Sequence, residues 1–129
     1  MSEQTTAVLV LILLLQIKHL FADFFLQTPA MLKNREVYWH MGRAAHAGVH
    51  AIGSILVLAI MGTPMSLLVT LVVVEFIVHF HIDWGKARFT EDRNLTPTDA
   101  AYWYANGVDP ALHQFTYLAM AWIWASNVS

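Results

Sequence analysis

Apolar residues in this chain come in four runs, each near the length that crosses a bilayer. The first, Ala7 to Leu26, opens with an unbroken apolar stretch from Ala7 to Leu15. A helix of about 20 residues spans about 30 Å, the thickness of the hydrocarbon core. The second run covers Ala44 to Met61 and ends at the turn Gly62-Thr63-Pro64. The third, Met65 to Arg88, begins with a β-branched and Leu-rich stretch whose length and context favour a lipid-facing helix over a strand. The fourth covers Asp109 to Ser126, with Asp109 placed as its N-cap and Pro110 at its first helical position. Polar connections, Gln27–Arg43 and Phe89–Val108, join the first two runs and the last two; Thr96-Pro97 and Asn106-Gly107 mark turns in the second. The pattern predicts one all-α domain over residues 1–129, an integral-membrane, up-down four-helix bundle.

Composition agrees with lipid as the solvent. Apolar residues make up 57% and charged residues 12%, about half the charged share of a soluble domain. Seven Lys and Arg with a net charge of −2 do not make a nucleic-acid surface. Cys is absent, which excludes disulfides, iron–sulfur clusters and thiolate zinc sites. No basic segment precedes Ala7 and no small-residue cleavage site follows the apolar run, so the first helix is expected to be retained, not removed as a signal peptide. The basic residues Lys18, Lys33, Arg35, Arg43, Lys86, Arg88 and Arg93 all fall in or beside the two long connections. The positive-inside rule then predicts cytoplasmic connections, with both termini outside a bacterial inner membrane.

Ionisable residues inside such helices are the anomaly. His19 and Asp23, His46 and His50, His79 and Asp83, and Asp109 and His113 form one pair on each helix. Each pair is spaced i, i+4 and so shares a helix face. The pairs lie at the end of the first helix, the start of the second, the end of the third and the start of the fourth. In an alternating bundle these positions all fall at the cytoplasmic end, and five His and three Asp can meet at one level. A single buried His or Asp in a membrane helix is commonly polar glue. Three uncompensated carboxylates are costly in that setting, and two divalent cations would bring +4 against their −3. The set therefore points to divalent metal ions, two in number. Facing ligands from four helices are how di-metal carboxylate bundles are built. Imidazole and carboxylate suit zinc, iron or manganese, with zinc the favoured one. A bis-His haem leaves no role for three Asp.

Further residues extend the site. Lys86 continues the His79–Asp83 face toward the cytoplasm and is a candidate to hold an anionic group; with Asp83 it forms the candidate catalytic set. Gln27, Arg43, Glu75 and Tyr117 are placed as supporting or substrate-contacting residues, Glu75 to orient His79 or add a ligand and Tyr117 to donate to a ligand or oxyanion. His81 points away from His79 and is read as structural, and His40 as solvated.

The elements His19-Leu-Phe-Ala-Asp-Phe-Phe-Leu-Gln27, His46-Ala-Gly-Val-His50, His79-Phe-His-Ile-Asp-Trp-Gly-Lys86 and Asp109-Pro-Ala-Leu-His113 resemble a bacterial membrane family catalogued as domain of unknown function 3307. The resemblance runs over almost the whole chain. Members often carry Gln after the fourth-helix Asp; Pro110 stands there, a departure that touches no ligand. The family is similar to membrane-bound metal-dependent hydrolases, which also carry intramembrane His and Asp, and the resemblance implies hydrolase chemistry. The leading expectation is a hydrolase acting on a lipid-like or phosphoester substrate at the cytoplasmic leaflet. The alternatives are a di-iron oxidoreductase and a non-enzymatic protein whose metal staples the helices. No nucleic-acid partner is expected.

Overall fold

A computed structural model describes residues 1–34 and 36–128; Arg35, one of the basic residues counted above, lies outside them, as does Ser129. The described residues form α1 (Glu3–Leu20), a π-helical turn (Phe21–Phe25), a short α2 (Pro29–Leu32), α3 (Met41–Ile60), α4 (Met65–Asp92) and α5 (Ala100–Asn127), with no strand among them. Three helices are long and apolar enough to cross a membrane: Glu3–Phe25, Met41–Ile60 and Met65–Asp92. Helix α5 has the length but carries Asn106, Asp109, His113 and Gln114 among its apolar residues.

Local sequence explains most boundaries. Ser2 caps α1 by accepting from the Thr5 backbone N–H at 3.1 Å, which satisfies one of the amides a helix start leaves unpaired. Pro64 precedes α4, where a residue without an N–H costs nothing. The turn at Gly62 to Pro64 is too short to do anything but reverse the chain, so α3 and α4 run antiparallel.

The fourth run departs from expectation. Asp109 is not a cap and Pro110 is not a first-turn residue; α5 starts nine residues earlier, at Ala100 with Asp99 as N-cap, and holds Pro110 in its interior. A proline there removes one backbone hydrogen bond, yet both flanks are anchored. Trp103 donates Nε1 to the Pro97 carbonyl at 2.7 Å, and the Asp109 carboxylate is taken by side chains of the site. The connection before α5 thus shrinks to residues 93–99.

Helix α1 packs against α3 and α5, and α4 packs against the same two. Gln4 Nε2 donates to the Ala125 carbonyl at 3.0 Å and Trp124 Nε1 to Thr63 Oγ1 at 2.8 Å. The start of α1, the end of α5 and the α3–α4 turn therefore share one end. The apolar core fills that half: Leu11, Leu15, Leu58, Leu71, Met120 and Trp124 are all buried. Toward the other end the interior turns polar, with Lys18, Arg43, His46, His50, Glu75, His79, Asp83 and His113 buried together. Large apolar side chains such as Leu13, Phe24, Ile60, Val73 and Trp122 point outward instead, as lipid-facing residues do.

Candidate metal centre

Four helices bring the eight paired residues into one continuous cluster, organised around two carboxylates. Asp23 lies in the π-helical turn that ends α1, closed by the Leu26 N–H donating to the Phe21 carbonyl at 2.9 Å. Such turns redirect side chains without ending the helix. Its Oδ2 is 2.7 Å from His19 Nε2, and its Oδ1 is 2.8 Å from His50 Nε2 and 3.2 Å from His46 Nε2. Asp83, one helix face away on α4, has Oδ2 at 3.0 Å from His79 Nε2 and Oδ1 at 3.0 Å from His113 Nε2. His46 Nε2 stands between the two centres, 3.6 Å from Asp83 Oδ2. The rings of His50, His79 and His113 lie side by side across α3, α4 and α5, with centroids 4.1 and 4.2 Å apart.

Donor spacing suits a cation. Ligating atoms of His19, Asp23 and His50, of His46, His50 and His79, and of His79, Asp83 and His113 fall within 4.8 Å of one another, the last two groups buried and the first half-buried, so they could hold a metal ion. Two close contacts are also misaligned as hydrogen bonds. His79 Nε2 lies 3.0 Å from Asp83 Oδ2 and Asp109 Oδ1 3.2 Å from His113 Nε2, yet among the described residues His79 Nε2 and Asp109 Oδ1 have no well-aligned hydrogen-bond partner. Ligand atoms that converge at such distances without well-aligned hydrogen bonds suit an ion, and they are costly when buried without one. The residues therefore fit a metal centre.

The supporting residues divide. Tyr117 Oη is 2.8 Å from His19 Nδ1, fixing that ring from behind as outer partners of ligating imidazoles do. Lys86 pairs with Asp109 Oδ2 at 3.3 Å, at the outer edge of the cluster. Arg43, 1% exposed, donates Nη1 to the Val37 and Tyr38 carbonyls, tying the first connection to the start of α3. Among the described residues no hydrogen bond or ion pair joins Gln27 to the cluster. His81 lies off it, with Nε2 at 3.0 Å from Tyr38 Oη.

Two placements add to the picture. Glu75 Oε1 accepts from Lys18 Nζ at 2.8 Å, and among the described residues no hydrogen bond joins Glu75 to His79. Lys18 in turn is not a flanking charge of a connection. It is buried beneath the cluster, donating also to Tyr117 Oη at 3.0 Å and lying 3.4 Å from His50 Nδ1. Its stem crosses Gly53 on α3, where any Cβ would collide with Lys18 Cγ, so the glycine is what lets the lysine through. Orientation by positive charge accordingly rests on the remaining six basic residues. Sequence reasoning did not single Lys18 out as part of the site; its place one residue before His19, deep in an apolar run, was the available signal.

Lys18 and Glu75 cancel, and Lys86 offsets Asp109. Asp23 and Asp83 then stand as the two carboxylates at the centres of the two halves.

Compared with known families, the chain matches the one described as "Protein of unknown function (DUF3307)" over residues 10–129. No curated protein and no solved structure matches it.

Proposed function

Because this chain belongs to the DUF3307 family, whose description carries no activity, we propose its function from the site itself: a membrane-embedded, metal-dependent hydrolase of an anionic, lipid-like or phosphoester substrate. The observation that carries this reading is the pair of carboxylate centres, Asp23 and Asp83, bridged by His46 within one buried cluster. His19, His46, His50 and Asp23 would hold one divalent ion, and His79, His113, Asp83 and Asp109 a second, with zinc favoured over iron or manganese. Such ions polarise a phosphoryl or acyl oxygen and make water a competent nucleophile near neutral pH. Two divalent cations bring +4 against −3 from Asp23, Asp83 and Asp109, an excess that attracts an anion.

The chain's own residues then divide the work. Tyr117 holds the His19 ring, and the Lys18–Glu75 pair supports Tyr117 from below. Lys86, with its side chain 31% exposed, is the cation able to leave Asp109 for a substrate's negative group. The chemistry is tested by a hydrolysis screen of phospholipids, isoprenoid phosphates and simple esters in bilayers. Wild-type protein is expected to turn over at least one class. Asp83→Asn should abolish turnover; Lys86→Ala should keep the metal but lose about 1–3 kcal/mol of substrate binding. Equal activity in all three proteins would assign the signal to a contaminant. A metal-loaded wild type that is inert throughout would leave the staple reading, favoured by a cluster that ties all four long helices together, and the di-iron oxidoreductase.

The same reading includes a four-helix transmembrane bundle, α5 being the fourth span, in the bacterial inner membrane with both termini outside. The chain has no native Cys, so single cysteines at Ser2 and Asp92 report cleanly. An impermeant thiol reagent applied from outside should label the first and spare the second; the reverse pattern would move the site to the other leaflet.

A further inference from the structure

A groove of about 840 Å³ runs along α4 and α5, and its lining reaches the cluster at Asp109. Its walls are mostly apolar, with Ile77 and Leu112 at its deep end and Phe89 and Tyr104 at the other. Besides Tyr104, the polar side chains among the described lining residues are His81, turned to Tyr38 and the Ile77 carbonyl, and the charged pair Lys86 and Asp109, which also forms the outer edge of the His/Asp cluster. Asp109 faces both ways: Oδ2 toward Lys86, Oδ1 toward His113. The Lys86–Asp109 pair is therefore the partition between groove and metal centre.

Size and depth match a lipid chain. From Ile77 to Lys86 the rise per residue gives about 13 Å, close to the roughly 15 Å of one leaflet's hydrocarbon. The volume is within the about 300–1,000 Å³ typical of sites for single small ligands. Ile77, Val108 and Leu112 are exposed, so the groove opens sideways into the bilayer instead of toward water. At its middle stands Gly85, where an added Cβ would meet nothing within 4 Å. The space there is open, not filled by a neighbour.

We infer that the groove between α4 and α5 is a binding site for an anionic membrane lipid, whose chain lies along Ile77 to Gly85 and whose phosphate displaces Asp109 from Lys86. This deepens the hydrolase reading and rests on it only for what happens next: Asp109 Oδ2 gives up Lys86 while Oδ1 stays toward His113, the partition opens, and the headgroup reaches the cluster from the membrane.

Binding is tested apart from catalysis, with a non-hydrolysable alkylphosphonate bearing a photoactivatable group in mid-chain and protein in zwitterionic phosphatidylcholine nanodiscs. The expected result is saturable labelling of α4 and α5 groove residues, competed by unlabelled alkylphosphonate and not by the choline lipid. Lys86→Gln should weaken it about tenfold. Gly85→Leu, and Val108→Trp from the opposite wall, should each cut labelling at least fivefold by filling the groove. Gly48→Leu, equally open but on α3, should leave it unchanged. Labelling that is non-saturable, spread over all four long helices and indifferent to Gly85→Leu and Val108→Trp would mean ordinary annular lipid and overturn the inference. Saturable groove labelling without any hydrolysis would retain the site and remove the hydrolase; hydrolysis without groove labelling would do the opposite.

Discussion

Asp23→Asn and Asp83→Asn should each reduce the metal content of the protein from two ions per chain to one, and the double variant should bind none. Each carboxylate is the centre of its own half: Asp23 gathers His19, His46 and His50, while Asp83 gathers His79 and His113. An amide keeps the shape but loses the charge and offers one oxygen instead of two. Metal binding is also folding energy, about 10–16 kcal/mol for structural zinc in small peptides, so thermal stability should fall in step with metal content. The measurement is elemental analysis of tag-free protein after reconstitution, alongside thermal unfolding in detergent. His81→Ala, off the cluster, should keep the metal and change stability only mildly, through the lost Tyr38 contact. If a single Asp→Asn change empties both positions, the cluster is one indivisible centre. Wild-type protein that stays metal-free after reconstitution would return the cluster to polar glue between helices.

Lys18→Met should destabilise the protein by about 3–5 kcal/mol, and adding Glu75→Leu should restore most of the loss. The pair is buried on both sides, with side chains 5% and 1% exposed. Removing one partner strands the other charge in a low-dielectric interior; removing both strands none, and a well-packed apolar pair is often at least as stable. The lysine also donates to Tyr117 and lies by His50, so the single variant should loosen the His19 ring as well. Denaturant unfolding in mixed micelles for the two single variants and the double one closes the cycle. Simply additive losses would show that the two side chains are not energetically coupled, and the ion pair would have no part in holding the site.

These two experiments fall on opposite sides of what could be read in advance. The four His/Asp pairs are legible because i, i+4 spacing is a property of the helix alone: any helix containing His79 and Asp83 puts both on one face. Alternation of the chain then sets the pairs at one level. Glu75 is a different case. Spacing offers it His79, on its own helix, but its partner is Lys18, 57 residues away on α1. Nothing local distinguishes these options, since the choice depends on which helices are neighbours and on Gly53 leaving room for the lysine stem. The start of α5 was likewise misplaced because Asp109-Pro110 is a strong local cap signal. Side-chain partners for Asp109 and an anchored Trp103 let the helix run through it.

An all-helical chain with membrane-length apolar runs is written in the order of the residues, as is which ionisable residues share a helix face. Both follow from composition and from a period of 3.6 residues per turn, and neither requires knowing what lies next to what. Tertiary structure decided that Asp23 and Asp83 are the two centres, that His46 stands between them, and that Lys18 neutralises Glu75. It also decided that α4 and α5 leave an apolar groove ending at Lys86 and Asp109. Those are outcomes of distance between different helices, where a fraction of an ångström in packing selects one partner over another, and no spacing along one chain encodes it.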